Sequence, residues 1–207
     1  MIIAFASSLV FYKKEKGLKM FPLIIGAGIV TELIRDVLRF VLDNETKQYA
    51  LFHFYIPFEF FCICFYFYLI CESKRIQLFI SVSAVLFFLS SPLMSVFLKT
   101  LNEFPSVQYN ISGLLITIIS IMVLINLPVK FDVSIYRRPT FWFCIAFSIF
   151  YPGQFLLNGY FSYIEKNKPL VLESLPRILY FGFNYLLYIL ITIGFLCLIP
   201  KRKYFIQ

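Results

Sequence analysis

Apolar positions gather into seven runs along the chain: Met1–Tyr12, Met20–Leu42, Ala50–Cys71, Ile76–Leu98, Ile111–Val129, Thr140–Phe161 and Leu175–Ile199. A hydrocarbon core of about 30 Å takes about 20 helical residues to cross, and every run but the first is long enough. Met1–Tyr12 is too short to cross alone. It lacks the basic n-region and small-residue cleavage site of a signal peptide. We read it as a half-crossing helix completed by its neighbours, or as a crossing whose start has been trimmed. The connections, about 4 to 13 residues long, are too short to fold as domains. The pattern predicts an all-α polytopic transmembrane bundle of seven helices, one integral membrane domain over residues 1–207. No internal repeat, inverted-repeat symmetry or low-complexity tail is visible.

The polar positions between the runs orient this bundle. Basic residues concentrate in alternate connections: Lys13, Lys14, Lys16, Lys19, Lys74, Arg75, Lys130, Arg137, Arg138, Lys201, Arg202 and Lys203 fall on one side. Only Lys47, Lys99, Lys166 and Lys168 fall on the other. Arg35, Arg39 and Arg177 lie within the runs. Cytoplasmic loops carry the excess of Lys and Arg, so the predicted topology is N-out and C-in.

Composition removes the soluble alternative. The chain is 60% hydrophobic and 14% charged, with a mean hydropathy of +0.83; soluble domains are about 45–50% apolar and about 25% charged. The net charge of +8 resides in short inter-run clusters, and no segment could build a folded basic surface for nucleic acid. Cys62, Cys64, Cys71, Cys144 and Cys197 all lie in or at the edge of apolar runs, where they read as small buried residues. Cys62 and Cys64 are roughly 200° apart around a helix, so they cannot grip one metal from one face. No metal or other cofactor is signalled.

Ionisable residues inside the runs are the candidate chemistry, because charge is costly in a bilayer. Gly28, Glu32, Arg35 and Arg39 fall within about 60° of arc on one helix. Tyr55, Glu59, Cys62 and Tyr66 form a similar stripe on the next. At 1.5 Å per residue, Glu32 lies roughly 16 Å above the cytoplasmic edge and Glu59 roughly 12 Å below the outer one. The two carboxyls are therefore expected at nearly one level, with Arg35 about a turn above Glu32, and Glu59 is expected within about 4 Å of Arg35 or Glu32. A Glu32/Arg35/Glu59 centre could bind a ligand, carry protons or trigger a conformational change. It could equally be an interhelical ion pair that fixes packing. Two carboxyls facing one arginine leave a surplus negative charge, which is what raises the functional reading.

The outer half holds further polar residues: His53, Gln154, Asn158, Arg177 and Asn184. His53 reads as a hydrogen-bonded structural group, Arg177 as an interfacial anchor, and Asn184 as a bond to a neighbouring helix. Pro57, Pro92 and Pro152 release the carbonyls of His53, Phe88 and Ser148. The Pro152-Gly153 pair, with Gln154 beside it, is the break best placed to line a ligand site, as broken helices do in transporters. With glycine scarce and Phe and Tyr abundant, packing through bulky aromatics is expected in place of small-residue seams. Enzyme and pigment readings fail individually. Leu175–Ile199 has no lysine for a retinal Schiff base, a single histidine rules out H-E-x-x-H, and no G-x-S-x-G elbow occurs. Glu32-Leu-Ile-Arg35 resembles the glutamate–arginine helix of intramembrane CAAX-type proteases, whose paired glutamates and several histidines are missing here.

Three stretches carry a broader likeness: Lys19-Met-Phe-Pro-Leu with Thr31-Glu32-Leu, Phe52-His-Phe-Tyr-Ile-Pro-Phe-Glu59-Phe, and Pro139-Thr-Phe-Trp142 with Phe150-Tyr151. In these and in the order of its elements the chain resembles a family of small, uncharacterised multi-pass bacterial inner-membrane proteins. The resemblance covers most of the chain and implies a seven-pass fold, a bacterial inner membrane and a first helix longer than Met1–Tyr12. It implies no activity. The leading functional expectation is a non-enzymatic sensor or partner-binding membrane subunit. A proton-coupled or small-solute transporter comes second, and a membrane-perturbing defence or toxicity effector third. Expected partners are the lipid bilayer, a protein reached through the cytoplasmic basic loops, and a second copy of the chain in a homo-oligomer.

Overall fold

The computed structural model describes residues 1–40, 49–97, 101, 103–128, 134–167 and 174–199. Among these the chain forms seven α-helices: α1 (Ile2–Phe11), α2 (Met20–Phe40), α3 (Ala50–Ile70), α4 (Lys74–Phe97), α5 (Ser106–Ile125), α6 (Pro139–Asn167) and α7 (Ser174–Leu196). A short 3-10 turn at Ile135–Arg137 leads into α6. Five helices, α3 to α7, are long and apolar enough to cross a membrane. α2 matches α3 in length at 21 residues but carries Glu32, Arg35, Asp36 and Arg39 in its second half. α1 is ten residues long.

Helix boundaries depart from the apolar runs for local reasons. α5 begins at Ser106, a turn before the expected Ile111, because Pro105 serves as its N-cap and the polar Gln108 and Asn110 are helical. It ends at Ile125, where Asn126 caps it, and not at Val129. α6 starts on Pro139, whose missing N–H costs nothing at a first helical position. It runs on to Asn167, beyond the apolar run. Pro57, Pro92 and Pro152 all lie inside continuous helices, so the expected break at Pro152-Gly153 does not occur. The anchor role read for Arg177 and the side chain of Arg39 lie outside the described residues. So do Lys47, Lys99, Lys130, Lys168 and 201–203.

Helix neighbours define the architecture. α1 packs on α2 and α7, α2 on α3, α3 on α5, α5 on α6, and α6 on α7. These six close a ring, with α4 outside it against α3 and α5. The side of α4 turned away from the ring is apolar and exposed, as at Val82, Leu86, Leu89, Leu93 and Val96. The described connecting residues 12–19, 71–73, 126–128 and 134–138 share one end of the bundle, here termed the basic end; the opposite end is the far end.

The ring's basic half is filled by aromatic rings. Phe21 of α2 is 1% exposed and stands 4.9 Å from Tyr66 of α3, 4.3 Å from Phe143 of α6 and 5.4 Å from Phe195 of α7, centroid to centroid. Edge-on and tilted pairs of this kind suit the ring quadrupoles. The Tyr66 hydroxyl meets Thr140 Oγ1 at 3.2 Å, so its buried polar tip is satisfied. Glycines make sockets for these rings: a Cβ on Gly194 would lie 2.5 Å from the Phe143 ring, and one on Gly153 2.5 Å from that of Phe183. Gly153 is thus a close-packing site between α6 and α7. At the turn after α1, Gly17 adopts φ 89°, a left-handed conformation that favours glycine. All five cysteines are free, and Cys62, Cys64, Cys71 and Cys144 are buried.

Candidate functional site: a carboxylate among tyrosines

In the far half the interior changes character. Glu59, midway along α3, accepts a hydrogen bond from the Tyr55 hydroxyl one turn earlier, at 3.1 Å. Both side chains belong to half-buried residues. Glu59 makes no ion pair among the described residues. Its charge reaches the hydroxyls of Tyr55, of Tyr109 on α5, of Tyr151 on α6, and of Tyr180 and Tyr188 on α7. Phenols of four ring helices thus lie within electrostatic range of one carboxylate, and Tyr55 is in direct contact with it. Tyr109 and Tyr151 form a ring pair 6.5 Å apart, and Tyr151 sits against Gly113, where a Cβ would come within 3.1 Å of its ring. Tyr151 is buried, whereas Glu59, Tyr55, Tyr109 and Tyr188 are only half-buried although their neighbours come from several helices. These side chains keep some surface that a water-sized probe touches, and the region they border is here called the chamber.

The second helix closes on this chamber differently from the expectation. Gly28 packs toward Tyr55, with its would-be Cβ 3.0 Å from the hydroxyl oxygen, so the polar stripe of α2 does turn toward α3. Glu32, however, lies one turn beyond Gly28, about 6 Å farther outward along the helix, and not level with Glu59. Arg35 pairs within its own helix, at 2.5 Å from Glu32 and 2.9 Å from Asp36. The expected Arg35–Glu59 ion pair is not formed. The reason is proximity: residues at i+3 already lie beside one another on a helix surface, and Asp36 adds a second acceptor that the cross-helix pairing overlooked. Glu32 and Arg35 still act on the same region, since the charges of both reach Tyr180 and that of Glu32 reaches Tyr188.

Gln154 is 1% exposed and its Nε2 has no hydrogen-bond partner among the described residues. It shares one face of α6 with Phe147, Tyr151 and Asn158, spaced at helical intervals. That face is the inner one, because Phe147 stacks on Phe21 and Asn158 Nδ2 donates to Asn110 Oδ1 of α5 at 3.2 Å. Asn184 does not bridge helices; its Nδ2 donates to the Tyr180 carbonyl of its own helix at 2.8 Å. With an acceptor four residues back in hand, it has no need of a neighbouring helix. Ser120 Oγ and Ser148 Oγ are also buried without partners among the described residues.

A second polar network ties α3, α4 and α5 together near the far end. His53 Nδ1 meets Ser95 Oγ at 2.9 Å, and His53 Nε2 meets the Glu103 carbonyl at 3.0 Å. A carbonyl only accepts, so Nε2 is the donor there. Gln108 Nε2 donates to the Ser91 carbonyl and to Ser95 Oγ, both at 2.6 Å. His53 is thus hydrogen-bonded as expected; Ser91, Ser95 and Gln108 went unread in the sequence, because helix α5 was taken to start after Gln108. A cavity of about 220 Å³ between α3 and α4 is lined by Phe61, Phe65, Ile80 and Val85 among others, with no charged side chain in its lining.

The chain matches no family model, no curated protein and no solved structure. Function therefore has to be argued from the chamber itself. A carboxylate and several phenols can bind a ligand, orient it and exchange hydrogen bonds with it.

Proposed function

We propose that the chain is a non-enzymatic sensor or partner-binding subunit of a bacterial inner membrane, with the Glu59 chamber as its ligand site. Its helices cross seven times, N-out and C-in, so that the chamber opens toward the outer side and the basic end faces the cytoplasm. The loop charges support this orientation, and the exposed apolar faces of the outer helices suit contact with lipid. The resemblance to small multi-pass bacterial membrane proteins supports the placement.

One observation carries the ligand-site reading: among the described residues Glu59 has no ion-pair partner, although Arg35 lies one helix away. A carboxylate kept for packing would recruit that arginine, because an unpaired charge inside a membrane is costly and is retained where it is used. The connections at the basic end are short, so a signal leaves through contacts with another protein and not through a domain of the described chain. In cells, crosslinking from Lys14, Arg75 and Arg137 should recover a partner whose yield changes with Glu59→Gln, while the variant accumulates as well as wild type. Loss of accumulation would make Glu59 structural and end this reading.

A proton-coupled transporter is the second reading, favoured by the half-buried position of Glu59, which lets a carboxyl exchange protons within the bundle. Proteoliposomes separate the two. The sensor reading expects wild-type protein to hold an imposed pH gradient, and the transporter reading expects solute-dependent collapse that Glu59→Gln abolishes.

A further inference from the structure

Away from Glu59, the packing of α3 on α4 is incomplete over about two turns. α3 presents Phe61, Phe65 and Tyr68 at i, i+4 and i+7, one stripe of its surface, and each keeps exposed area. The Phe61 and Phe65 rings stack on each other, 6.3 Å apart and 7° from parallel, and make a flat wall. α4 answers with Ser81 and Ala84, whose short side chains leave a cleft of about 220 Å³ with Cys64 and Ile80 at its buried side. Ser81 Oγ donates to the Gln77 carbonyl of its own helix at 2.9 Å, so the hydroxyl asks nothing of an occupant. Water finds few partners in such a lining. Pockets that enclose a drug-sized ligand measure about 300–1,000 Å³, so this one suits a narrow apolar chain. Both helices are long and apolar enough to cross a membrane, and the cleft opens on their exposed surface at Phe61, Phe65 and Val85.

The basic end of the cleft selects among lipids. Tyr68 and Ser81 line that end, and Gln77, one turn farther out on α4, donates to the Tyr68 carbonyl at 3.3 Å, which fixes the level of the two helices. Lys74, exposed, stands seven residues before Ser81, two turns and about 10 Å nearer the basic end on the same face. With Arg75 it opens α4, where the helix N-terminus adds partial positive charge. No acidic residue occupies that first turn, and Glu72, just before it, leaves the cluster net positive. A cationic rim over an apolar cleft fits a molecule with an anionic head and a hydrocarbon tail.

We propose that the cleft seats one acyl chain of an anionic phospholipid whose phosphate lies at Lys74. This rests on α3 and α4 spanning the bilayer and not on the Glu59 chamber, so it can fail while that reading stands.

Phosphatidylglycerol carrying a diazirine midway along one acyl chain, mixed at trace level into phosphatidylcholine nanodiscs that hold the full chain, tests the proposal by photolysis and peptide mapping. Adducts should concentrate on Phe61–Tyr68 and Ile80–Val85 over Leu89 and Leu93 on the outer side of α4. They should exceed those from equally labelled phosphatidylcholine by at least about fivefold, the effect of one basic residue beside anionic lipid. Lys74→Glu should remove that preference. Ala84→Leu, which fills the cleft, should lower its adducts to the level at Leu89 and Leu93 without changing the melting temperature. If Ala84→Leu does not accumulate, Lys74→Glu, at an exposed position, decides alone. Adducts spread evenly over the cleft and the outer side would be ordinary annular lipid and would overturn the proposal, as would equal yields from the two lipids. Cleft residues that no lipid labels, while a bifunctional reagent joins two chains there, would put a second copy in the cleft, with the same consequence.

Discussion

The two halves of the ring are built from the same residue types and do opposite things with them. In the basic half, Phe21, Tyr66, Phe143 and Phe195 fill the interior, and the one phenol among them is satisfied by Thr140. In the far half, Tyr55 donates to the Glu59 carboxylate, and Tyr109, Tyr151 and Tyr188 lie within its electrostatic range. Aromatic rings packed on one another give dispersion without a polar remainder. A carboxylate with no ion-pair partner among the described residues leaves a polar remainder in the far half. Half the bundle is an aromatic core, and the other half holds the proposed site.

This contrast can be broken most severely at Phe21. Phe21→Ala removes the ring that joins α2, α3, α6 and α7 and should cost about 3–5 kcal/mol, the range for a fully buried phenylalanine. Denaturant titration in detergent measures it, and a cost below about 1 kcal/mol would mean that the basic half is not the supporting core. A smaller loss is expected from Gly194→Ala, whose Cβ would press on Phe143 at 2.5 Å; overpacking of this kind costs about 1–3 kcal/mol. Gly182, with nothing within 4 Å of its would-be Cβ, provides the control, and Gly182→Ala should be neutral or slightly stabilising by helix propensity. Gly17→Ala should cost about 1–2 kcal/mol through its left-handed backbone, with the Tyr66 ring 3.0 Å from the added methyl. The mildest change should come from the site: Glu59→Gln preserves shape and can still meet the Tyr55 hydroxyl, so stability should stay within about 0.5 kcal/mol of wild type.

Much of the basic half was legible in the sequence, because apolar runs and their charged connections report helices directly. The inward turn of the Gly28 stripe was legible too, since 3.6-residue periodicity fixes which positions share a face. Arg35 was misassigned because a sequence shows which charges can meet and not which do; Glu32 and Asp36, three and one residues away, reach it before Glu59 can. The tyrosines of the chamber were invisible for another reason. In or beside an apolar run Tyr109, Tyr151 and Tyr188 count as one more aromatic, and only the packing of separate helices brings them within electrostatic range of one carboxylate. Asn184 illustrates the same limit: a helix offers it a backbone carbonyl four residues back, and nothing in the residue pattern says whether it takes that or a neighbour's.

The central claim is that Glu59 is accessible and has no charged partner among the described residues. Carbodiimide labelling at mildly acidic pH, followed by peptide mapping, tests it most directly, because the reagent modifies carboxyl groups that it can reach and that no cation holds. The chamber predicts modification at Glu59 in wild-type membranes, prevention of that adduct by Glu59→Gln, and weaker modification at Glu32, which Arg35 holds at 2.5 Å. Glu59 unmodified while Glu32 reacts fully would place Glu59 in a sealed or ion-paired position and contradict the account.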